Sequence, residues 1–190
     1  MKNEKHNKVS IAILEIISQK GIEELNISSV AKKSSVSRAW IYQYMGKSKD
    51  DLMSIATENC ASFFARSTIS VELNSKDDLV EKLIDATNFI VTACTENPIF
   101  IKLYFRYKGS ENILGVTIEK FESLWIQKFS KHIMRVLKVS PDEAQSLCRT
   151  LLILRMGYCF DIVTTKGISI DIKNKIDCFI LAQRKILNLV

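Results

Sequence analysis

The stretch SSVSRAWIYQYMGKSK, residues 34–49, decides the fold of this chain. It places five large side chains within six positions and surrounds them with Ser, Arg and Lys. These large residues are Trp40, Ile41, Tyr42, Tyr44 and Met45. Three interpretations are open for so apolar and so basic a segment: part of a core, a membrane anchor, or a surface that reads nucleic acid. Features elsewhere in the sequence discriminate among these three interpretations.

The composition predicts an all-α protein. The chain has 190 residues, of which 47% are hydrophobic, so it can bury a sizeable core. Only six Gly and two Pro interrupt it. No run of alternating Val, Ile and Thr bounded by turn residues indicates a strand. No internal repeat or long linker separates independent folding units.

The cysteines predict neither a disulfide framework nor a metal site. There are five, with no CxxC pair and no histidine close by: Cys60, Cys94, Cys148, Cys159 and Cys178. We expect them to be small core side chains in a reducing cytoplasm, with redox sensing as the alternative. No metal and no cofactor is expected.

Membrane insertion and catalysis are both disfavoured. The apolar run Ile11–Ile17 is interrupted by Glu15, and no stretch reaches the roughly 18 apolar residues that a membrane span requires. A cytoplasmic location is therefore expected. The chain has only two histidines, no Gly-rich phosphate loop, no HExxH motif and no nucleophile elbow. These features predict that the protein is not an enzyme.

Positive charge is concentrated at the beginning of the chain. The first 50 residues carry nine Lys or Arg against five Asp or Glu, which is +4 of the total net charge of +6. A basic surface of this kind favours a polyanionic partner, although such runs also occur on solvated faces.

The first 50 residues have the pattern of a helix-turn-helix unit. A first helix is predicted over residues 5–20 and ends at Gly21. A short second helix is predicted over residues 27–34 with Asn26 as its N-cap, and Ser37 caps a third helix that continues to Met45. Two short helices joined by a brief turn behind a longer one form such a unit.

The rest of the chain is predicted to form one helical bundle, giving about nine helices in all. Ser48 opens the fourth helix, and Pro98 occupies the first position of the sixth. The further helices are predicted over residues 79–96, 114–137, 141–167 and 170–189, with a loop at 107–112. We therefore expect a helix-turn-helix domain at residues 1–47 and a helical-bundle domain at residues 48–190.

The third helix has two different faces at 100° per residue. One face is expected to pack in the core and consists of Ile41, Tyr44 and Met45. The other has no apolar partner in so small a unit and carries Ala39, Trp40, Tyr42 and Gln43. Gln can hydrogen-bond adenine at two positions, and aromatic side chains can contact sugars and thymine methyls. This face suits a DNA major groove.

The segment GIEELNISSVAKKSSVSRAWIYQYMGKSKDDL resembles the DNA-binding signature of the tetracycline-repressor (TetR) family of transcriptional regulators. The matching residues are Gly21, Asn26, Val30, Ala31, Val36, Ser37, Ile41, Tyr42, Tyr44, Ser48 and Lys49. The resemblance covers residues 9–52, and the remaining residues resemble the family only in being helical.

Three departures from the family pattern bear on the site. Ser35 stands where the turn glycine is usual, and a left-handed conformation there costs roughly 1 kcal/mol relative to Gly. Ala39 and Trp40 replace a glycine and a small residue, so the surface that faces DNA is bulkier than usual. One extra residue within the segment 45–49 leaves open whether Lys47 or Lys49 contacts phosphate; Lys49 is favoured because it lies inside the capped helix start.

The resemblance implies a homodimer that binds a near-palindromic operator of double-stranded DNA and uses its last two helices as the dimer interface. The alternative is that these helices bury only against their own bundle. The DNA-contacting residues implied are Asn26, Ser28, Ser37, Arg38, Ala39, Trp40, Tyr42, Gln43, Tyr44, Lys47 and Lys49. Lys2, Lys5 and Lys8 are expected to add phosphate contacts.

The alternative function for the whole chain is a helical protein-binding module without DNA affinity.

The resemblance also implies that residues 1–47 are a DNA-binding domain and that residues 48–190 are a ligand-binding and dimerisation domain. A small molecule inside this bundle is implied to release DNA. Candidate lining residues, each of which could instead be core, are Phe89, Tyr104, Phe105, Phe121, Trp125, Phe129, Met156 and Phe160. Arg155 joins them because an arginine within the apolar run LLILRMGYCF needs a partner when buried. It is expected to pair with Asp161 or Asp177, to cross the dimer axis, or to meet an anionic ligand.

Overall fold

The computed structural model describes residues 2–65, 73–165 and 172–189, and within these ranges the chain is all-helical without a strand. The helices are α1 (Lys2–Lys20), α2 (Ile27–Ser34), α3 (Arg38–Tyr44), α4 (Lys49–Ala65), α5 (Lys76–Glu96), α6 (Ile99–Tyr107), α7 (Ile113–Leu137), α8 (Pro141–Thr164) and α9 (Ile172–Ile186). The all-α prediction is confirmed.

The helix starts follow the capping residues in the sequence. Ser75 forms a capping box with Asp78, and Ser140 accepts from the amide of Glu143 with Pro141 as the first helical residue. The predicted bounds of α2 are confirmed, whereas α1 begins three residues earlier than predicted. The predicted end of α8 at Gly167 lies outside the described residues.

The last helix ends earlier than predicted, at Ile186 rather than near Leu189. Asn188 adopts a left-handed conformation with φ of 52°, and the amide of Leu189 bonds back to the carbonyl of Arg184. This is the closing geometry of many helix C-termini, which Asn tolerates better than most residues.

The chain divides into two compact units. The first contains the described residues of 1–64 and 102–119. Helix α2 packs against α1 and α3, and the core includes Val9, Ile13, Ile17, Leu25, Val30 and Ile41. Within this unit, Arg106 donates to the carbonyl of Ser18, and the Tyr107 hydroxyl donates to the carbonyl of Ile17. These bonds satisfy carbonyls in the last turn of α1.

The second unit contains the described residues of 65–101 and 120–190. In it α5, α8 and α9 pack against one another. Its core includes Leu79, Leu83, Ile90, Phe129, Leu151, Leu152 and Phe179. The domain boundary at residues 47 and 48 stays a prediction.

Four of the five cysteines are buried, as expected for small core side chains, but Cys178 on α9 is exposed. Burial raises the pKa of the Cys60 and Cys148 thiols to about 12, which keeps both protonated at neutral pH. Within the described part of the chain, no helix is long and apolar enough to cross a membrane.

Candidate nucleic-acid interface

Helix α2 begins with a reciprocal cap. The Asn26 side-chain oxygen accepts from the amide of Ser29 at 2.8 Å, and the Ser29 hydroxyl accepts from the amide of Asn26 at 3.2 Å. Ile27 and Val30 turn inward, while Ser28 is exposed in the first turn. Asn26 therefore already has a structural role, and Ser28 presents its hydroxyl to solvent.

The turn between α2 and α3 depends on Ser35. This residue adopts the left-handed conformation, with φ of 56° and ψ of 29°, at the C-cap of α2. Ser34 accepts from the amide of Val36 at 3.3 Å, and Ser37 accepts from the amide of Trp40 at 3.3 Å. These two hydrogen bonds and the left-handed conformation of Ser35 together fix the angle at which α3 leaves the turn.

The inward face of α3 is smaller than predicted. Ile41 and Met45 are buried, but Tyr44 is 41% exposed, so its predicted core position is wrong. The Tyr44 ring lies 5.0 Å from the Trp40 ring at an interplanar angle of 41°. Residues four apart are neighbours on a helix surface, and this pair packs along the side of α3.

The outward face of α3 agrees with the sequence pattern. Four residues on it are exposed and Trp40 is partly so; the exposed four are Arg38, Ala39, Tyr42 and Gln43. A short helix that presents a primary amide, a guanidinium and two aromatic hydrogen-bonding groups has the donors and acceptors that base edges and phosphates require.

The loop after α3 is held by Asp51. Its carboxylate accepts from the amides of Lys47 at 2.7 Å and Ser48 at 2.9 Å. The hydrogen bonds from the Lys47 and Ser48 amides hold the pKa of the Asp51 carboxyl below its usual range. Gly46 has φ of 121°, which glycine adopts without strain, and a Cβ there would collide with Asp51.

This loop geometry positions the two candidate phosphate-binding lysines. Lys49 is the first residue of α4, Lys47 precedes it in the loop, and both side chains are exposed. The positive end of the α4 dipole lies at the same place. The sequence predicted that Ser48 opens α4, but only the folded structure shows that the Asp51 carboxylate bonds back to the loop.

The basic residues of α1 are only partly available to a polyanion. Lys8 bonds to Glu4 at 2.8 Å, and Lys33 of α2 bonds to Glu15 at 2.9 Å. Both pairs are substantially exposed, so salt screens them and each contributes little to stability. Lys5 and Lys8 line a groove of about 440 Å³ between α1 and the turn after α2.

The candidate ligand-binding residues separate by burial and by unit. Tyr104 and Phe105 belong to the first unit, and the other seven belong to the second. Six of the nine are buried: Tyr104, Phe121, Trp125, Phe129, Arg155 and Met156. Phe89, Phe105 and Phe160 are exposed, which corrects their expected interior position.

Arg155 is the most unusual of these residues because it is a cation inside a helical core. It is 2% exposed, and its Nη2 donates to Oε1 of Gln183 at 3.4 Å. Its guanidinium lies 5.4 Å from the centroid of the Trp125 ring, and its Nε has no hydrogen-bond partner. Burial lowers the pKa of Arg155 to about 10, so it remains protonated at neutral pH.

Two of the partners expected for Arg155 are wrong, and so is the expected crossing of a dimer axis. Asp161 is exposed and bonds to Lys175, and Asp177 is exposed on α9. Because Arg155 is buried within a single chain, it does not reach a subunit surface. An anionic ligand is the remaining alternative for Arg155.

The polar residues that surround Arg155 were not predicted from the sequence. Gln183 and Thr87 are fully buried, and the Gln183 amide nitrogen donates to the Thr87 hydroxyl at 2.8 Å. Helical spacing offered a signal, since Gln183 lies between Phe179 and Leu187 at steps of four, and all three residues are buried. A polar residue on such a stripe indicates a buried polar contact.

The fold and site together define a class: helical proteins in which a helix-turn-helix unit precedes a helical bundle. No model of a known protein family matches the sequence, and no curated protein matches it in sequence. Solved structures do match.

A putative fatty acid metabolism regulator from Clostridium perfringens has a TM-score of 0.73 at 12% identity and covers 96% of this chain and 98% of its own. A putative TetR-family transcriptional regulator from Syntrophomonas wolfei has a TM-score of 0.68 at 17% identity, with 99% and 97% covered. A TetR-family transcriptional regulator from Streptomyces coelicolor has a TM-score of 0.66 at 15% identity, with 98% and 95% covered. The chain has the fold of the TetR-family transcriptional regulators.

Proposed function

We propose that this protein is a homodimeric, sequence-specific DNA-binding regulator of transcription. The observation that carries the proposal is the outward face of α3, where Gln43 and Arg38 are exposed on a helix that the Ser35 turn and Asp51 loop hold at both ends. A helix of this kind enters the major groove in helix-turn-helix proteins. The fold similarity to transcriptional regulators supports the same conclusion.

Within this proposal, phosphate contacts supply affinity and base contacts supply specificity. Lys47 and Lys49 flank the end of α3, and Arg38 stands at its start, so positive charge lies at both ends of the helix. Gln43 is the principal base-reading residue, because a primary amide can donate to and accept from adenine together. Trp40 and Tyr42 contact sugars and thymine methyls.

The dimer is proposed to form through α8 and α9. Ile153 is 65% exposed and Leu181 is 45% exposed, and Phe160 is exposed two helical turns after Ile153. Large apolar side chains that are exposed to solvent on α8 and α9 favour a protein interface on these helices. A two-fold dimer of this kind would place the two α3 helices in successive major grooves, about 34–36 Å apart.

Repression and its relief by a small effector are the finer part of the proposal. An effector bound in the second unit would release DNA only if it binds the DNA-competent and DNA-incompetent arrangements with different affinity. The buried aromatic residues Trp125 and Phe129, whose rings are 4.9 Å apart, provide an apolar surface for such a molecule.

Selection of bound sequences from a pool of random DNA duplexes tests this function. We expect enrichment of a near-palindromic sequence, because a symmetric dimer reads two equivalent half-sites. The matched control is the Trp40→Ala/Gln43→Ala double variant, with its helical circular dichroism checked, which should retain non-specific binding and lose the enrichment. Salt-insensitive binding to a protein, together with no duplex affinity, would favour the protein-binding alternative.

A further inference from the structure

Two buried hydrogen-bond donors on α8 of the second unit have no acceptor. Arg155 Nε is one, and the Tyr158 hydroxyl, three residues further along α8, is the other. Both atoms are inaccessible to solvent. Buried donors of this kind are uncommon, because an unpaired donor loses its hydrogen bonds to water and gains none within the protein, and the loss is larger when the group is charged.

The arrangement of Gln183 explains why Arg155 Nε is left over. The Thr87 hydroxyl donates to the carbonyl of Leu83 at 2.7 Å, so it accepts from the Gln183 amide nitrogen. This directs the Gln183 amide oxygen toward Arg155 Nη2. One edge of the guanidinium is thereby anchored by a neutral group, and Nε remains as a donor.

The charge of Arg155 is likewise uncompensated by the protein. Among the described residues, no carboxylate lies within ion-pair distance of the guanidinium. The neighbours that the structure places around it are the Trp125 ring, the Gln183 amide and the Cys159 thiol. A buried cation without a counter-charge is unfavourable, so an anion that entered this cluster would be strongly stabilised.

The two orphan donors define the chemical class of that anion. A single positive charge matches a single negative charge. Residues three apart are neighbours on a helix surface, so the N–H of Arg155 and the O–H of Tyr158 together match the two oxygens of one carboxylate. The surroundings are apolar and aromatic: Trp125 and Phe129 are buried, and the Tyr158 ring stacks on Phe179 with centroids 4.5 Å apart. A phosphate dianion would bring more charge and more acceptors than these groups satisfy.

We propose that Arg155 and Tyr158 bind the carboxylate of an effector whose remaining body is apolar or aromatic. This inference rests on the proposed function in that the bound acid would be the molecule that controls DNA binding. Gln183 and Thr87 act as positioning residues, which hold the guanidinium so that Nε faces the carboxylate.

Isothermal titration of the full chain with paired probes tests the proposal. The probes are butanoate, octanoate, dodecanoate, benzoate and phenylacetate, each paired with its neutral primary amide. We expect at least one carboxylate to bind the wild-type protein roughly 100-fold more tightly than its amide, since the amide lacks the charge that Arg155 neutralises.

Substitutions then assign the preference to named groups. Arg155→Met keeps the bulk of the side chain and should weaken carboxylate binding roughly 100-fold, while amide binding stays within about threefold. Tyr158→Phe should weaken carboxylate binding about five- to tenfold. The matched control, Arg149→Met, changes an exposed arginine on the same helix and should leave both affinities within twofold. Retained amide binding shows that the Arg155 variant is folded.

Three results would overturn the proposal: no probe binds, every amide binds as well as its acid, or Arg155→Met keeps the carboxylate preference. A parallel measurement of duplex binding by fluorescence anisotropy separates this proposal from the regulator function. Carboxylate binding that leaves the duplex bound supports the site and contradicts effector-controlled release. Duplex binding without any carboxylate binding contradicts the site alone.

Discussion

The α3 surface in the first unit and the Arg155 cluster in the second use positive charge in opposite ways. Arg38, Lys47 and Lys49 are exposed, so water and salt screen their charges until a polyanion approaches. Arg155 is buried beside Trp125 and Gln183, where water cannot solvate it. Exposed cations suit a large partner with many charges, whereas a buried cation suits one small anion. Five predictions test this difference.

The largest effect is expected at the proposed dimer surface. Ile153→Arg places a charge on the exposed apolar side of α8. In a two-fold dimer both subunits carry the substitution, so the interface loses binding free energy at two positions. Loss of about 2 kcal/mol per copy weakens dimerisation roughly 1000-fold. Sedimentation equilibrium measures this change, with Ser123→Arg on the exposed side of α7 as the control. A dimer of unchanged strength would place the interface elsewhere.

Gln43→Ala should alter which DNA sequence is preferred. Loss of a bidentate base contact costs about 1–3 kcal/mol per half-site, while the phosphate contacts remain. Competition binding with the selected duplex and single-base variants should show discrimination lost at one position of each half-site. Unchanged discrimination would remove Gln43 from the base-reading surface.

Arg155→Met should stabilise the fold. Replacing a buried ion by an apolar side chain of similar size is often favourable by about 1–4 kcal/mol, and the unsatisfied Gln183 oxygen reduces the gain here to about 1 kcal/mol. Urea unfolding measures this difference. Arg149→Met, an exposed change on the same helix, should lie within about 0.5 kcal/mol of the wild type. A strongly destabilised Arg155→Met variant would mean that the cation is compensated within the protein.

Lys49→Ala should weaken binding to all duplexes about equally. Loss of one phosphate contact lowers the slope of log affinity against log salt concentration by about 1 and leaves sequence preference unchanged. Lys47→Ala, measured over the same salt series, shows which of the two lysines occupies the phosphate-contacting position. Equal slopes for Lys49→Ala and the wild type would assign no phosphate to Lys49.

The smallest effect is expected at the turn. Ser35 adopts a left-handed conformation, so Ser35→Gly should raise the free energy of unfolding by roughly 0.5–1 kcal/mol. Ser35→Ala retains the Cβ and should show no such gain. Denaturant unfolding of both variants measures the difference, and a loss of stability in the glycine variant would contradict the assigned strain.

Most of the helical layout was predictable because its signals are local. The caps at Asn26, Ser37, Ser75 and Ser140 act on amides within three residues, and the sequence spacing shows them directly. Tyr44 was misplaced because a periodicity of 100° per residue defines an angle but does not show how far the neighbouring core extends. In the structure Trp40 packs against the Tyr44 ring, which remains exposed.

The sequence by itself determined the all-α class, the helix-turn-helix pattern and the outward face of α3, since each depends on neighbours within a few positions. Only the tertiary structure decided the surroundings of Arg155. Thr87, Trp125, Arg155 and Gln183 lie on four different helices, and burial brings them together. Whether a buried charge is stabilised depends on the side chains that face it from other helices. The spacing of residues along one helix carries no information about which side chains those are.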